Sequence, residues 1–187
     1  MENIKNYYEI SPLTLTILPK WLENGVAGSL VLEQREKYVV NIPPRTLIDQ
    51  ACKFFGSSLR GRQEGTKDIA GITHKSPIAI DPHSGMYFFP TSSPVKPSCS
   101  WIAHSHIENV QEMEHNQSKI TFVSGQSVVY PISYGSMMNQ VHRTAQFRYK
   151  FTERLQNHWN SENDLVAERL QTTYNPLAKS PQMDPRF

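Results

Sequence analysis

From His115 to Thr152 the chain carries no acidic residue, yet it holds Lys119, Arg143, Arg148 and Lys150. The later part of that stretch has helical spacing. At about 100° per residue, Ser136 to Trp159 puts Met137, Val141, Ala145, Phe151, Leu155 and Trp159 on one side. Asn139, Arg143, Gln146, Lys150, Arg154 and Asn157 fall on the other, within an arc of about 80°. An apolar side anchors a helix in a core, while the opposite side here offers cations interleaved with amides. That is phosphate-binding chemistry: cations supply salt-sensitive affinity, and amides bond phosphate oxygens or base edges. A merely solvated face is the alternative. Arg148 falls in the middle of the apolar side. There it needs an acidic partner, a route outward to solvent, or a subunit contact.

A second cationic group lies in the segment from Lys53 to Gly65, which includes Arg60 and Arg62 and three glycines. Glycines let a backbone approach a ligand closely, and the arginines suit a phosphate backbone. The segment follows a predicted helix rather than preceding one, so it is not a nucleotide-binding phosphate loop. A flexible connector with solvated arginines is the plainer alternative. Lys67, Lys75 and Lys96 extend the set of predicted DNA contacts, which comprises Arg60, Arg62, Lys67, Lys75, Lys96, Asn139, Arg143, Lys150 and Arg154.

His104-Ser-His106 offers a different chemistry. On a strand both imidazoles point the same way and could share a metal ion with Cys99. Three ligands need a fourth or a water, and no Cys-x-x-Cys or Asp/Glu-x-x-His partner accompanies them. A metal-dependent enzyme built on these residues is therefore the alternative in another class. A protein-interaction module with a basic face is a third. No Gly-x-Ser-x-Gly elbow occurs, Cys52 sits on the apolar side of its helix, and Glu108, Glu112 and Glu114 cluster on a solvated strand end. No catalytic residue, metal or other cofactor is predicted.

These groups sit in the right part of the chain for a polyanion partner. Net charge is +2 over 187 residues, but residues 45–150 hold eleven Lys/Arg against seven Asp/Glu. Residues 1–44 hold four against five, and residues 151–187 four against five. A central basic surface between mildly acidic ends attracts nucleic acid without making the whole protein sticky. No apolar run is long enough to span a membrane, the N-terminus lacks an export signal, and Cys52 and Cys99 read as reduced thiols. These features predict a cytoplasmic, nucleoid-associated protein with no membrane partner.

The elements that must position the cations are mixed. Leu13 to Ile17 alternates as a strand ended by Pro19, Asn24-Gly25 signals a turn, and Gly28–Leu32 and Lys37–Ile42 make an antiparallel pair. Pro44 or Arg45 opens a helix with Leu47, Ile48, Ala51, Cys52 and Phe55 on one face, stopped by Gly56-Ser57-Ser58. Strands are predicted at Ile72-Thr73, Pro77–Ile80, Met86–Phe89, Trp101–Ile107, Lys119–Val123 and Ser127–Ile132. A loop with three prolines, Pro90 to Pro97, interrupts them as a candidate contact element. The fold class is α+β, mainly antiparallel sheet, with principal helices near 45–55 and 136–158. Residues 1–158 are expected to form one DNA-binding domain; 159–187 are expected to be an extension with a short helix at Asp164–Thr172, flexible after about 173.

Several blocks resemble the ComK family of competence transcription factors from Gram-positive bacteria. They are Cys52–Arg62, Ile72–Ile78, Phe88–Thr91, Cys99–Ile107, Pro131–Ser136 and Asn139–Ala145, in one order across residues 7–155. The resemblance implies an activator of DNA-uptake genes that recognises paired A/T-rich boxes, mostly from the minor groove. It further implies double-stranded DNA, RNA polymerase and the chain itself as partners, the last as a dimer of dimers, which adds oligomerisation to the 1–158 domain. Members of the family can carry a tail segment read by a proteolysis adaptor; Thr173-Tyr-Asn-Pro-Leu-Ala-Lys179 is the nearest segment here and departs from that pattern. In rhythm, residues 72–140 are similar to the β-rich LytTR DNA-binding domain, an analogy of fold alone.

Overall fold

The computed structural model describes residues 4–23 and 25–173, with side chains through residue 158. The chain divides by contact into two units, Met1–Phe151 and Thr152–Phe187. Among the described residues the first holds ten strands: β1 (Ile4–Lys5), β2 (Thr14–Trp21), β3 (Ala27–Glu33), β4 (Lys37–Val40), β5 (Ile78–Asp81), β6 (Met86–Pro90), β7 (Trp101–Ala103), β8 (Ile107–Met113), β9 (Gln117–Phe122) and β10 (Ser127–Tyr130). Its helices are α1 (Pro44–Phe54), α2 (Leu59–Ala70) and the start of α3 (Tyr134–Thr173). The predicted α+β class with mainly antiparallel pairing is what is found.

Seven strands form one sheet in the order β1-β4-β3-β2-β7-β6-β5, and β10-β9-β8 form a second. The β1–β4 pair is parallel and every other pair antiparallel. Alternation along the central strands sends side chains to two cores. Ile78, Ile80, Met86, Phe88 and Trp101 join Leu47, Ile48, Ala51 and Cys52 of α1. On the opposite face Phe89 and Ile102 meet Ile120, Phe122 and Tyr130 of the small sheet and Met137 of α3. Ala79 and Tyr87 meet Ile72 and Phe147 in a third cluster. Burial of these aromatic and branched side chains, worth about 1.5–3 kcal/mol each, fixes where the helices lie.

Several boundaries differ from those expected from sequence. β2 runs through Pro19, which stands opposite Ser29 of β3. Proline is tolerated because β7 pairs with β2 only at Thr16 and Ile17, leaving the later part of the strand an edge on that side. No strand forms at Ile72-Thr73, which belong to the connection after α2. The His104–His106 segment is a turn of 3-10 helix, not strand. The short helix expected at 164–172 is part of α3, and the tail after Thr173, with its candidate adaptor segment, lies outside the described residues.

The largest correction is α2. The segment expected to be a glycine-rich connector is a helix over Leu59–Ala70. Gly61 and Gly65 each cost about 1 kcal/mol of helix propensity relative to alanine. Local signals offset this. Ser58 accepts from the Gly61 amide at 3.0 Å as an N-cap, Asp49 Oδ1 of α1 accepts from the Leu59 amide at 2.9 Å, and Gly71 at φ 71° closes the C-terminus. Buried Thr66 donates its hydroxyl to Pro77 O at 2.7 Å, holding the helix against the chain that enters β5.

A candidate nucleic-acid interface

α2 and the connection that follows it bring cations from separate parts of the sequence together. Arg60 and Lys67 of α2 and Lys75 of the connection line one open cavity of about 310 Å³, with Gln63, Glu64, Thr73, Ser93 and Pro94. All three cations are exposed. Glu64 is the lone carboxylate in that lining, and its Oε1 receives Arg60 Nε at 2.9 Å. Lys75 sits at φ 46°, in the left-handed region, at the turn leading to β5.

Arg143 of α3 does not line this cavity but bonds the backbone of His74, which does. Its Nη2 donates to the carbonyl of His74 and its Nη1 to Gln140 Oε1 at 2.9 Å. Gln140 is buried, and its Nε2 donates to Lys75 O at 3.0 Å and Pro90 O at 2.7 Å. The pair straps the 74–75 backbone to α3. Desolvation lowers the Arg143 pKa from its ordinary value, in keeping with its half-buried position. Arg143 is thus a positioning residue for the Lys75 turn. Asn139 and Lys150, also on α3, are exposed.

Neither these three nor the remaining predicted contacts line the cavity. Arg62 lies on the other side of α2, where Nη2 donates to Phe55 O at 3.3 Å beyond the C-terminus of α1. A cation there complements the negative end of that helix. Lys96 lines a second cavity, of about 240 Å³, with Lys20, Trp21, Arg45 and Val95. Arg154 is exposed on α3 in the second unit, Thr152–Phe187.

The buried stripe of α3 is Met137, Gln140, Thr144 and Phe147, flanked by half-buried Val141, Arg148 and Phe151. Ala145 and Leu155, expected inside, are exposed. The stripe mixes amide and hydroxyl with apolar groups, so hydrophobicity alone misplaces it by part of a turn. Arg148 flanks the stripe: Nη1 lies 2.9 Å from His104 Nδ1, and the guanidinium stands 4.8 Å from the Tyr87 ring centroid. His106 Nε2 bonds Pro12 O at 2.7 Å, and the Cys99 thiol donates to Ser92 O and Ser100 O at 3.5 Å. His104, His106 and Cys99 therefore form no ligand set, and no group of three such side chains suited to a metal occurs among the described residues.

The sequence corresponds to a known family. A family model described as ComK protein matches residues 4–156. The chain belongs to the ComK family. The Competence transcription factor of Bacillus subtilis (strain 168) is 38% identical over 148 residues, 79% of this chain and 77% of that relative. Membership of the ComK family makes the chain a transcriptional activator of competence. The ComK match spans both walls of the cationic groove and the Arg143 strap. No solved structure gives a significant match. No described helix is long and apolar enough to cross a membrane.

Sequence reasoning had no route to Lys20 and Arg45 as companions of Lys96, because they come from β2 and α1. Nor did it find Gln140, since a buried glutamine gives no periodic signal. The Arg60, Lys67 and Lys75 grouping was hidden for a simpler reason. It depends on α2 being a helix.

Proposed function

We propose that this ComK-family activator works in the cytoplasm at the nucleoid, binding paired A/T-rich promoter boxes largely through the minor groove. The observation that carries this reading is the convergence of Arg60, Lys67 and Lys75 on one open cavity whose single carboxylate is already paired. Phosphate contacts of this kind supply salt-sensitive, sequence-independent affinity. A narrow A/T minor groove concentrates negative potential and favours inserted Arg or Lys. Its hydrogen-bond pattern separates A·T from G·C and little else, which suits A/T-rich boxes. Asn139, Arg143 and Lys150 extend the contact surface along α3. Arg62, Lys96 and Arg154 complete the set of candidate contacts, Arg62 in a supporting role. Paired boxes call for a two-fold assembly, a dimer or dimer of dimers, and activation calls for a contact with RNA polymerase.

Equilibrium binding to A/T-rich and G/C-rich duplexes of equal length tests the reading. Tighter binding to the A/T-rich duplex, abolished by a minor-groove blocking drug and untouched by major-groove methylation, is expected. Equal affinity for both duplexes, or loss through major-groove modification alone, would overturn it.

A further inference from the structure

The loop from Ser92 to Pro97, between β6 and β7, separates two cationic cavities. On one side Ser93 and Pro94 border the groove of Arg60, Lys67 and Lys75. On the other, Pro94, Val95, Lys96 and Pro97 border the cavity that holds Lys20, Arg45 and Trp21. Pro94 is common to both linings. Across the two, six cations accompany one carboxylate, Glu64. At the loop tip Val95 is 72% exposed, more than any other large hydrophobic side chain among the described residues.

The loop is built to hold that tip in place. The Lys96 amide donates to Ser93 O at 2.9 Å and the Cys99 amide to Lys96 O at 3.0 Å. At its base the Thr91 amide donates to Ser100 O at 2.9 Å, and the Ser100 amide donates to Thr91 Oγ1 at 3.0 Å. Gln140 clamps Pro90 O from α3. Pro94 and Pro97 fix φ on either side of Val95 and Lys96, so little ordering entropy remains to be lost on binding.

The geometry points to the Ser92–Pro97 loop as a minor-groove wedge, with Val95 and Lys96 entering the groove and the two flanking cavities each receiving one phosphate strand. This rests on the DNA-binding reading above and assigns its groove element. A minor groove is about 6 Å wide, which excludes a helix but admits a narrow loop tip. Apolar side chains pushed against base steps from that side unstack and kink the duplex, and A/T-rich sequence containing TA steps deforms most readily. An acidic peptide seated in the Trp21 cavity would satisfy Lys20, Arg45 and Lys96 equally. It would leave unexplained why a second cationic cavity lies directly across the loop.

The test uses the full chain and an A/T-rich duplex carrying a donor and an acceptor dye at its ends. Val95→Ser should reduce the bend read by energy transfer while leaving the salt slope unchanged. Lys96→Ala and Arg45→Ala should each flatten the salt slope by about one, as Lys67→Ala does on the other side. Thermal melts of each variant confirm the fold. A wild-type bend in Val95→Ser, together with unchanged slopes for Lys96→Ala and Arg45→Ala, would overturn the wedge. In that case a normal Lys67→Ala effect would leave DNA binding itself standing. If Lys67→Ala also changed nothing, the DNA-binding reading would fall with it. A labelled peptide of alternating Glu and Leu provides the remaining arm: if Arg45→Ala weakened only that peptide, the cavity would belong to a protein partner and the wedge would be rejected.

Discussion

Arg148 Nη1 lies 2.9 Å from Nδ1 of His104, and a guanidinium has no hydrogen-bond acceptor, so Nδ1 must be the unprotonated nitrogen. The pairing therefore requires neutral His104. Burial first, and the Arg148 charge second, push the His104 pKa from 6.5 down to about 4, against an opposing backbone bond at Val141. The guanidinium also stands over the Tyr87 ring, 4.8 Å from its centroid, so Arg148 needs no acidic partner.

A pH dependence follows from that neutral imidazole. Between pH 6.5 and 4 the unfolded chain takes up a proton at His104 that the folded chain refuses. The contribution is fully present above pH 6.5 and is lost as pH falls toward 4. At pH 5 the loss should be about 1 kcal/mol, after allowance for screening at a half-buried site. Denaturant melts from pH 7.5 downward measure it. His104→Asn keeps an acceptor for Arg148 and removes the titration, so its stability profile should be flatter over this range; an unaltered slope would show that other groups govern it.

Arg143 has two separable roles, one geometric and one electrostatic. Arg143→Ala deletes the bonds to His74 O and Gln140 Oε1 and should destabilise the fold by about 1–2 kcal/mol while weakening DNA binding. Arg143→Lys retains the charge, but an ammonium on a flexible stem does not reproduce the planar two-armed strap. It should therefore keep the salt slope and still lose stability. Urea melts read alongside salt titrations separate the two; a lysine variant as stable as wild type would refute the strap.

The cavity of Arg60, Lys67 and Lys75 should behave as an electrostatic footprint. Lys67→Ala should lower affinity for A/T-rich and G/C-rich duplexes alike, with the salt slope reduced by about one. Lys75 is better replaced by glycine, since its φ of 46° would strain alanine. Lys75→Gly should weaken DNA binding without loss of thermal stability. An affinity change confined to one duplex sequence would assign these lysines to base readout instead.

How much of this was legible beforehand depended on the type of signal. Pro44 at the first turn of α1, with Leu47, Ile48, Ala51 and Cys52 buried on one face, follows its sequence pattern closely. The strand at Met86–Phe89 was likewise legible as a short apolar run, while the alternation of its side chains between opposite faces emerges only from the fold. α2 was not legible, since its glycines outweigh its caps unless the Asp49 and Pro77 contacts are known. The cationic groove inherits that blindness. Cations are recognisable by type, but their convergence is a product of tertiary placement. Phe55 shows the same limit from the other direction: it continues the apolar spacing of α1, yet it falls after the helix ends and stays exposed.

The two sheets are joined by a polar relay whose removal should cost more than its surface suggests. Tyr130 of β10 donates its hydroxyl to Thr16 Oγ1 at 2.9 Å, and Thr16 donates in turn to Trp101 O at 2.9 Å. Both side chains are buried, so neither lost bond is replaced by water. Burial also raises the Tyr130 pKa, keeping its proton available for donation. Tyr130→Phe should destabilise by about 1–2 kcal/mol, with Thr16 left holding an unmet acceptor. Thr16→Val removes both links and strands the Tyr130 hydroxyl as well. Because the two groups share one bond, the double variant should be less damaging than the sum of the singles, by about 0.5–1.5 kcal/mol. Additive losses in urea unfolding would mean that each hydroxyl acts alone and that packing of Ile102, Phe122 and Met137 holds the sheets together without the relay.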